Sequence, residues 1–208
     1  MTAKLYCFGE SGNAYKAALT MALSGYPFEP VYVDFFNGGA RTPEYLAINP
    51  MGEVPALVDG DKTLTQSCAI QLYVARKTGK FLAADEDEMM RWMFWDAQKG
   101  SGQQGGLRFL KNFLPEDKRP NEAIAWLSGR VDTALKTLNT HLDHRDWMVG
   151  DAPSLADFAC CGYLFYPEPF GFDRTQYPHI SAWLDRISAL PGWQHPYDLM
   201  PGNPSDRA

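Results

Sequence analysis

Two short stretches of this chain carry the residue types of a binding site. Thr65-Gln66-Ser67 stands at the start of an apolar stretch with helical spacing, residues 66–77. The first N–H groups of a helix have no partner inside it, so such a start attracts an anion, and the Ser67 hydroxyl can donate to one. The same residues can instead cap the helix, with Thr65 or Ser67 accepting a backbone N–H. The second stretch is Glu53-Val54-Pro55, where a proline opens a strand and removes a ladder donor. A trans bond makes this an ordinary strand start; a cis bond turns the Val54 backbone out of the sheet, where it can pair with a peptide. Both readings stand on the residues alone. Other groups point away from chemistry. Gly100-Ser101-Gly102-Gln103-Gln104-Gly105 has GxGxxG spacing but follows a helical pattern rather than a strand, so it reads as a break in a long helix. His141 and His144 lack the further ligands a metal needs, and no metal is expected. Ser154-Leu155-Ala156-Asp157 is a capping-box arrangement with Asp in the Glu place. Cys7, Cys68, Cys160 and Cys161 show no C-x-x-C spacing and lie among apolar residues, which fits buried reduced thiols in a cytoplasmic protein.

The elements that position these residues change character along the chain. Residues 3–8 read as a strand, 13–24 as a helix stopped by Gly25 and Pro27, and 29–34 as a second strand. A short helix follows near 43–47, then the turn Asn49-Pro50-Met51-Gly52. Residues 55–58 and 62–64 form a hairpin around Asp59-Gly60, and the helix 66–77 closes on Gly79. The first 80 residues therefore read β-α-β-α-β-β-α, a small sheet carrying helices. The acidic run Ala83-Ala84-Asp85-Glu86-Asp87-Glu88 suits a linker entering a helix N-terminus. Everything beyond it reads helical: 121–142, then an apolar and central 154–166, then 179–190 ended by Pro191-Gly192, with a polar tail from Met200. Two domains are expected, residues 1–82 as α/β and 88–200 as all-helical.

Composition sets the outer bounds. The 208 residues carry 19 basic against 25 acidic side chains, a net charge of −6, with 45% apolar and 21% charged residues. That balance is globular, and its acidity argues against nucleic acid, whose phosphates need clustered Lys and Arg. No apolar run is long enough to span a membrane, and the N-terminus lacks a signal-peptide core. Aromatics reach 13%, and all 6 Trp lie beyond residue 90, in the helical half.

Three stretches in their order make the pattern specific: Asn49-Pro50-Met51-Gly52-Glu53-Val54-Pro55-Ala56-Leu57, Leu64-Thr65-Gln66-Ser67-Cys68-Ala69-Ile70, and Met148-Val149-Gly150-Asp151-Ala152-Pro153-Ser154-Leu155-Ala156-Asp157. With Tyr177-Pro178-His179-Ile180 and Leu190-Pro191-Gly192, the chain resembles the cytosolic glutathione S-transferase superfamily from residue 3 to about 195. The resemblance implies a thioredoxin-like N-terminal domain that binds glutathione and an all-helical domain that shapes a pocket for an apolar electrophile. Most members are homodimers. It also implies a cis Val54-Pro55 bond, with glutathione bound along Val54, Pro55, Gln66 and Ser67. Two positions depart from the family. Gln66 stands where Glu or Asp is usual and loses charge attraction for the ligand ammonium. Glu53 stands near a place often held by Lys, Gln or His; among the glutathione-binding positions it either repels the glycyl carboxylate, which Arg41 or Lys16 can compensate, or points to solvent without effect.

On that resemblance the chemistry needs a thiolate. A free thiol has a pKa near 8.5, and lowering it by two units corresponds to about 2.7 kcal/mol. One hydrogen bond from a donor, helped by a helix N-terminus, supplies that. The donors near the turn after the first strand are Tyr6, Cys7, Ser11 and Asn13. Ser11 matches the serine-type position, Asn13 the relatives that use Asn, and Cys7 reads as core; the alternative is that Ser11-Gly12-Asn13 merely turns the chain and caps the first helix. Trp92, Trp95, Phe109 and Tyr163 are the aromatics that can line the electrophile pocket, or, as aromatics at helical spacing more often do, serve as plain core. The function implied is conjugation of glutathione to small apolar electrophiles. The alternatives on the same fold are a glutathione-dependent isomerase, dehalogenase or disulfide reductase, or a non-catalytic binding protein.

Overall fold

The computed structural model of the protein describes residues 2–202. The chain divides into two compact units, one made of the residues up to Leu82 together with those from Leu190 on, the other of Ala83–Ala189.

The first unit is a four-stranded sheet with helices. β1 (Ala3–Cys7) buries alternate residues, Ala3, Leu5 and Cys7, as a strand with one covered face must. α1 (Gly12–Ser24) starts on Ser11, whose Oγ accepts the Ala14 N–H at 3.1 Å, and ends on Gly25 at φ 71°. β2 (Phe28–Tyr32) runs parallel to β1 on the sheet edge, which is where its Pro30 is tolerated. α2 (Pro43–Ile48) leads to β3 (Ala56–Asp59) and β4 (Lys62–Thr65), which pair antiparallel around a two-residue turn with Gly60 at φ 60°. α3 (Ser67–Thr78) packs on α1, with Ile70 and Val74 fully buried. The strand order is β2-β1-β3-β4. This is the thioredoxin-like βαβαββα arrangement that the sequence implies.

The second unit is helical: α4 (Glu86–Lys99), α5 (Ser101–Asn112), α6 (Asn121–His141), α7 (Leu155–Cys160) and α8 (Pro178–Ser188). Gly100 breaks α4 from α5, as its spacing predicts. The Asp96 carboxylate folds back there and accepts Ser101 N–H at 3.1 Å and Ser101 Oγ–H at 2.9 Å. A Cβ on Gly100 would stand 2.5 Å from that same oxygen, so the break needs glycine. α7 is shorter than the helix expected over 154–166. After Cys160 the backbone bonds tighten, Gly162 N–H to Ala159 O at 3.3 Å and Leu164 N–H to Cys161 O at 2.9 Å, and the chain leaves the helix as turns. At the head of α7 the fully buried Asp157 accepts four hydrogen bonds, from Met148 N–H (2.8 Å), Ser154 N–H (2.8 Å), Ser154 Oγ–H (3.0 Å) and Trp183 Nε1–H (2.8 Å). Burial pushes its carboxyl up, and those four donors oppose the push. None of the described helices is long and apolar enough to cross a membrane.

His141 gives this unit a pH-dependent stability. Its ring lies on Trp92 with centroids 4.2 Å apart, and its Nε2 meets the Met148 carbonyl at 2.8 Å, so Nε2 carries the proton of a neutral ring. Burial lowers its pKa from the ordinary value. The unfolded chain therefore takes up the proton first. The stability is complete above the unfolded value of about 6.5 and is lost as pH falls through the folded one. Urea midpoints are expected to drop more between about pH 7.5 and 5 in the wild type than in His141→Gln.

The sequence carries the helical domain to residue 200, whereas the chain from Leu190 on joins the first unit. A last short helix, α9 (Pro196–Leu199), packs on α1, and Tyr15 Oη–H donates to Gln194 O at 2.9 Å. These contacts are made by residues 190–202, which carry no helical periodicity to announce them.

Candidate functional site

The register of the sheet collects the candidate residues at one end. Tyr6, near the C-terminal end of β1, pairs with Ala56, the first residue of β3, and Ala56 pairs with Thr65, the last residue of β4. Cys7 at the end of β1 pairs with Tyr32 at the end of β2. Four segments therefore emerge together: residues 8–11, residues 33–37, Val54-Pro55 and Gln66-Ser67. A parallel pair beside an antiparallel pair is what makes these ends coincide.

The Val54-Pro55 bond is cis. Val54 lies outside the β1–β3 ladder, which begins at Ala56, and its side chain packs against Val33, Ala40 and Tyr45. The loop before it is fixed by the buried Asn49. Asn49 Nδ2–H donates to Glu53 O at 2.7 Å, Asn49 Oδ1 accepts Met51 N–H at 3.1 Å, and Tyr45 Oη–H also donates to Glu53 O at 2.7 Å. Burial pushes the Tyr45 phenol up to about 12, so it stays a donor. From the sequence Asn49 reads only as a turn residue; its part in holding Glu53 and Val54 emerges from these distances. The Glu53 side chain is exposed. Arg41 reaches the same loop, its Nη1–H donating to Met51 O at 3.3 Å, whereas Lys16 is fully buried in α1 and does not offer itself to an anion.

No side chain caps α3, so the reading of Thr65 or Ser67 as its cap is set aside. Gln66 occupies the cap position at φ 67° and ψ 118°, a backbone conformation that costs a residue with a Cβ about 1–3 kcal/mol. Ser67, the first residue of α3, is buried, and the first N–H groups of a helix have no partner inside it. Gln66 Nε2 approaches Met51 Sδ at 3.5 Å, which ties this segment to the Val54 loop. No motif in the sequence signals the positive φ.

Ser11 stands at the head of α1 and is largely buried. Its Oγ serves as acceptor for Ala14 N–H, which leaves the hydroxyl proton to donate elsewhere. Asn13 is half-buried one turn position on. Cys7 is buried in β1, and desolvation pushes its thiol up to about 12, so it is core and not a thiolate. Tyr6 is a strand residue with its ring edge-on to Tyr45 at 6.0 Å. An aromatic cluster unseen in the sequence adjoins the Ser11 turn. Phe8, whose carbonyl accepts Ser11 N–H at 3.1 Å, stacks on Phe35 at 4.9 Å and meets Phe36 edge-on at 5.7 Å.

The aromatics expected to line an electrophile pocket fall in the helical unit in distinct roles. Trp92 is buried, donates Nε1–H to Glu88 at 3.0 Å and meets Trp95 edge-on at 5.1 Å, so it serves the core. Phe109 is exposed beside Phe113. Tyr163 is buried under α5, where a Cβ on Gly105 would stand 2.7 Å from its hydroxyl. Among the described residues no group of three or more His, Cys, Asp or Glu can hold a metal ion. His141 and His144 do not converge, since His144 pairs with Asp143 at 3.3 Å while His141 is held on Met148.

Residues 1–76 match the family model described as glutathione S-transferase, N-terminal domain, and residues 108–191 the one described as glutathione S-transferase, C-terminal domain. The chain is similar to glutathione S-transferase F9 of Arabidopsis thaliana, 31% identical over 196 residues that span 86% of this chain and 89% of the relative. It is similar to disulfide-bond oxidoreductase YfcG of Escherichia coli (strain K12), 29% identical over 194 residues, 88% of this chain and 89% of the relative. Among solved structures, a glutathione S-transferase from Xanthobacter autotrophicus Py2 superposes with a TM-score of 0.86 at 32% identity, covering 95% of this chain and 98% of that one.

Proposed function

The chain belongs to the glutathione S-transferase family, and we propose that it conjugates the thiolate of glutathione to small apolar electrophiles. The observation that carries this reading is the open N-terminus of α3, held uncapped by Gln66 at φ 67°, at the same sheet end as Val54 and Ser11. The cysteinyl backbone pairs with Val54 beside Pro55. The γ-glutamyl carboxylate sits on the first turn of α3 and takes the Ser67 hydroxyl, with the Gln66 amide as a hydrogen-bonding group for the ammonium. Arg41, which bonds Met51 O in the Val54 loop, is the cation that offsets Glu53 for the glycyl carboxylate. Ser11 donates its proton to the sulfur, and the N-terminus of α1 adds its dipole. Phe8, Phe35 and Phe36 offer an apolar wall next to that sulfur.

The test is retention on immobilised glutathione together with turnover of a chlorodinitrobenzene. Retention without turnover on a panel of electrophiles, but with reduction of glutathione mixed disulfides, replaces conjugation by the reductase reading that the YfcG likeness suggests. Absence of all three leaves a non-catalytic binding protein.

Asn49 supplies a separate check on the Val54 loop. Asn49→Ala removes two hydrogen bonds, about 1–2 kcal/mol in all. The KM for glutathione is expected to rise about tenfold with kcat nearly unchanged, because the loss falls on binding shared by ground and transition states.

The proposed assembly is a homodimer. An open groove of about 520 Å³ on β4 and α3, lined by Lys62, Leu72, Tyr73, Arg76 and Lys77 among others, is basic and apolar. A second copy presenting the acidic first turn of α4 (Glu86, Asp87, Glu88) fits it by charge. Sedimentation of wild type and Arg76→Glu, which is expected to shift the chain toward monomer, tests this.

A further inference from the structure

The chain after Leu190 touches the loop that leads to Ser11. Tyr15 Oη–H fixes its start through Gln194 O at 2.9 Å. The Tyr197 ring and the Gly202 carbonyl then close over Gly9, so that a Cβ there would stand 3.1 Å from Tyr197 Cδ1 and 3.2 Å from Gly202 O. Between them Gly9 N–H donates to Pro201 O at 2.7 Å. Gly9 lies inside the turn that Ser11 N–H closes on Phe8 O at 3.1 Å, and that turn is held by β1 on one side and α1 on the other.

We propose that residues 190–202 form a strap that positions Ser11, fixing the turn of residues 8–11 through the Gly9–Pro201 hydrogen bond and the Tyr197 contact. The proposal rests on the role given to Ser11 above. A hydroxyl that must meet a sulfur depends on where its backbone is held, and a misplacement of about 1 Å at a reacting group costs on the order of 10²-fold in rate. The printed bonds of Ser11 run to that turn, through Phe8 O, and to the helix it starts, through Ala14 and Tyr15. The bonds and contacts of the strap named above reach Gly9 and Tyr15, at the Ser11 turn and on α1. The strap therefore acts on the thiolate and not on the affinity for glutathione, and it is a positioning element rather than a catalytic one.

Two variants test this. A chain ended after Met200 removes the Pro201 carbonyl but keeps the buried Met200. Gly202→Val places a β-branched residue at φ 83°, with its Cβ against the Tyr32 ring, and so shifts the strap while retaining its length. In each, the thiol of bound glutathione is expected to titrate about one unit higher and kcat to fall about tenfold, while the Kd for glutathione stays within about twofold. If either folded variant keeps the wild-type thiol titration and kcat, or only unfolds more easily, the strap is merely structural and the proposal fails. Ser11→Ala, measured alongside, separates this from failure of the underlying reading: if that substitution leaves the titration unmoved, the role of Ser11 falls and the strap's falls with it.

Discussion

With Ser11 replaced by alanine, conjugation at saturating glutathione is expected to slow by about 10- to 100-fold, and the bound thiol to titrate about 1–2 units higher. The magnitude is that of one hydrogen bond to a charged acceptor, about 1.5–3 kcal/mol. The dipole of α1 remains, so ionisation is weakened rather than abolished. The deficit narrows as pH rises past about 8.5, where the thiol ionises without help. The same substitution removes the Ala14 N–H acceptor and is expected to cost about 1 kcal/mol of stability, read separately from urea midpoints. Thiolate absorbance against pH, paired with rates, checks the assignment. An unchanged Ser11→Ala beside a slowed Asn13→Ala transfers the role to Asn13. If both are unchanged, the turn only starts the helix.

The largest effect on stability is expected from Asp157→Ala. The side chain gathers the head of α7, the backbone at Met148 and the indole of Trp183 on α8. Alanine leaves three buried N–H donors without an acceptor, each costing about 1–3 kcal/mol. A total near 3–5 kcal/mol is a large part of what keeps a domain folded. Asp157→Asn does not rescue it. An amide turns its NH₂ toward one set of donors, Met148 and Trp183 or the two Ser154 groups, where the carboxylate had an acceptor. Urea unfolding followed by tryptophan emission measures both; a loss below about 1 kcal/mol in Asp157→Ala overturns the account.

The sequence made the sheet legible because its signals are local. Alternation in residues 3–7, the Asp59-Gly60 turn and the Gly25 and Gly79 helix ends each report on a few neighbours. The segments that form the candidate site were visible as Val54-Pro55, Gln66-Ser67 and Ser11 for the same reason. What joins them was not. The left-handed backbone of Gln66 follows from the path of β4 into α3, and no residue type announces it, since glycine is the usual sign. Asn49 looked like a turn residue because its hold on Glu53 depends on the fold of the whole loop. The strap leaves no local signal, because its contacts with Gly9 and Tyr15 span nearly the full chain length. The end of α7 at Cys160 is not legible because the residues beyond it remain as apolar as those within it. Apolar residues without polar interruption do not show where a helix stops.

The burial of the cysteines has a bearing on how such a protein survives its own reagents. A catalyst that gathers alkylating compounds beside a thiolate exposes its own sulfur atoms to them. Attack depends on access and on ionisation. Cys7, Cys160 and Cys161 offer neither access nor, for Cys7 with its thiol up to about 12, ionisation at neutral pH. Cys68, half-buried at the head of α3, is the exception. In the proposed conjugation the ligand is then the sacrificial sulfur, consumed and replaced in each turnover, and of the four cysteines Cys68 is the one within a reagent's reach.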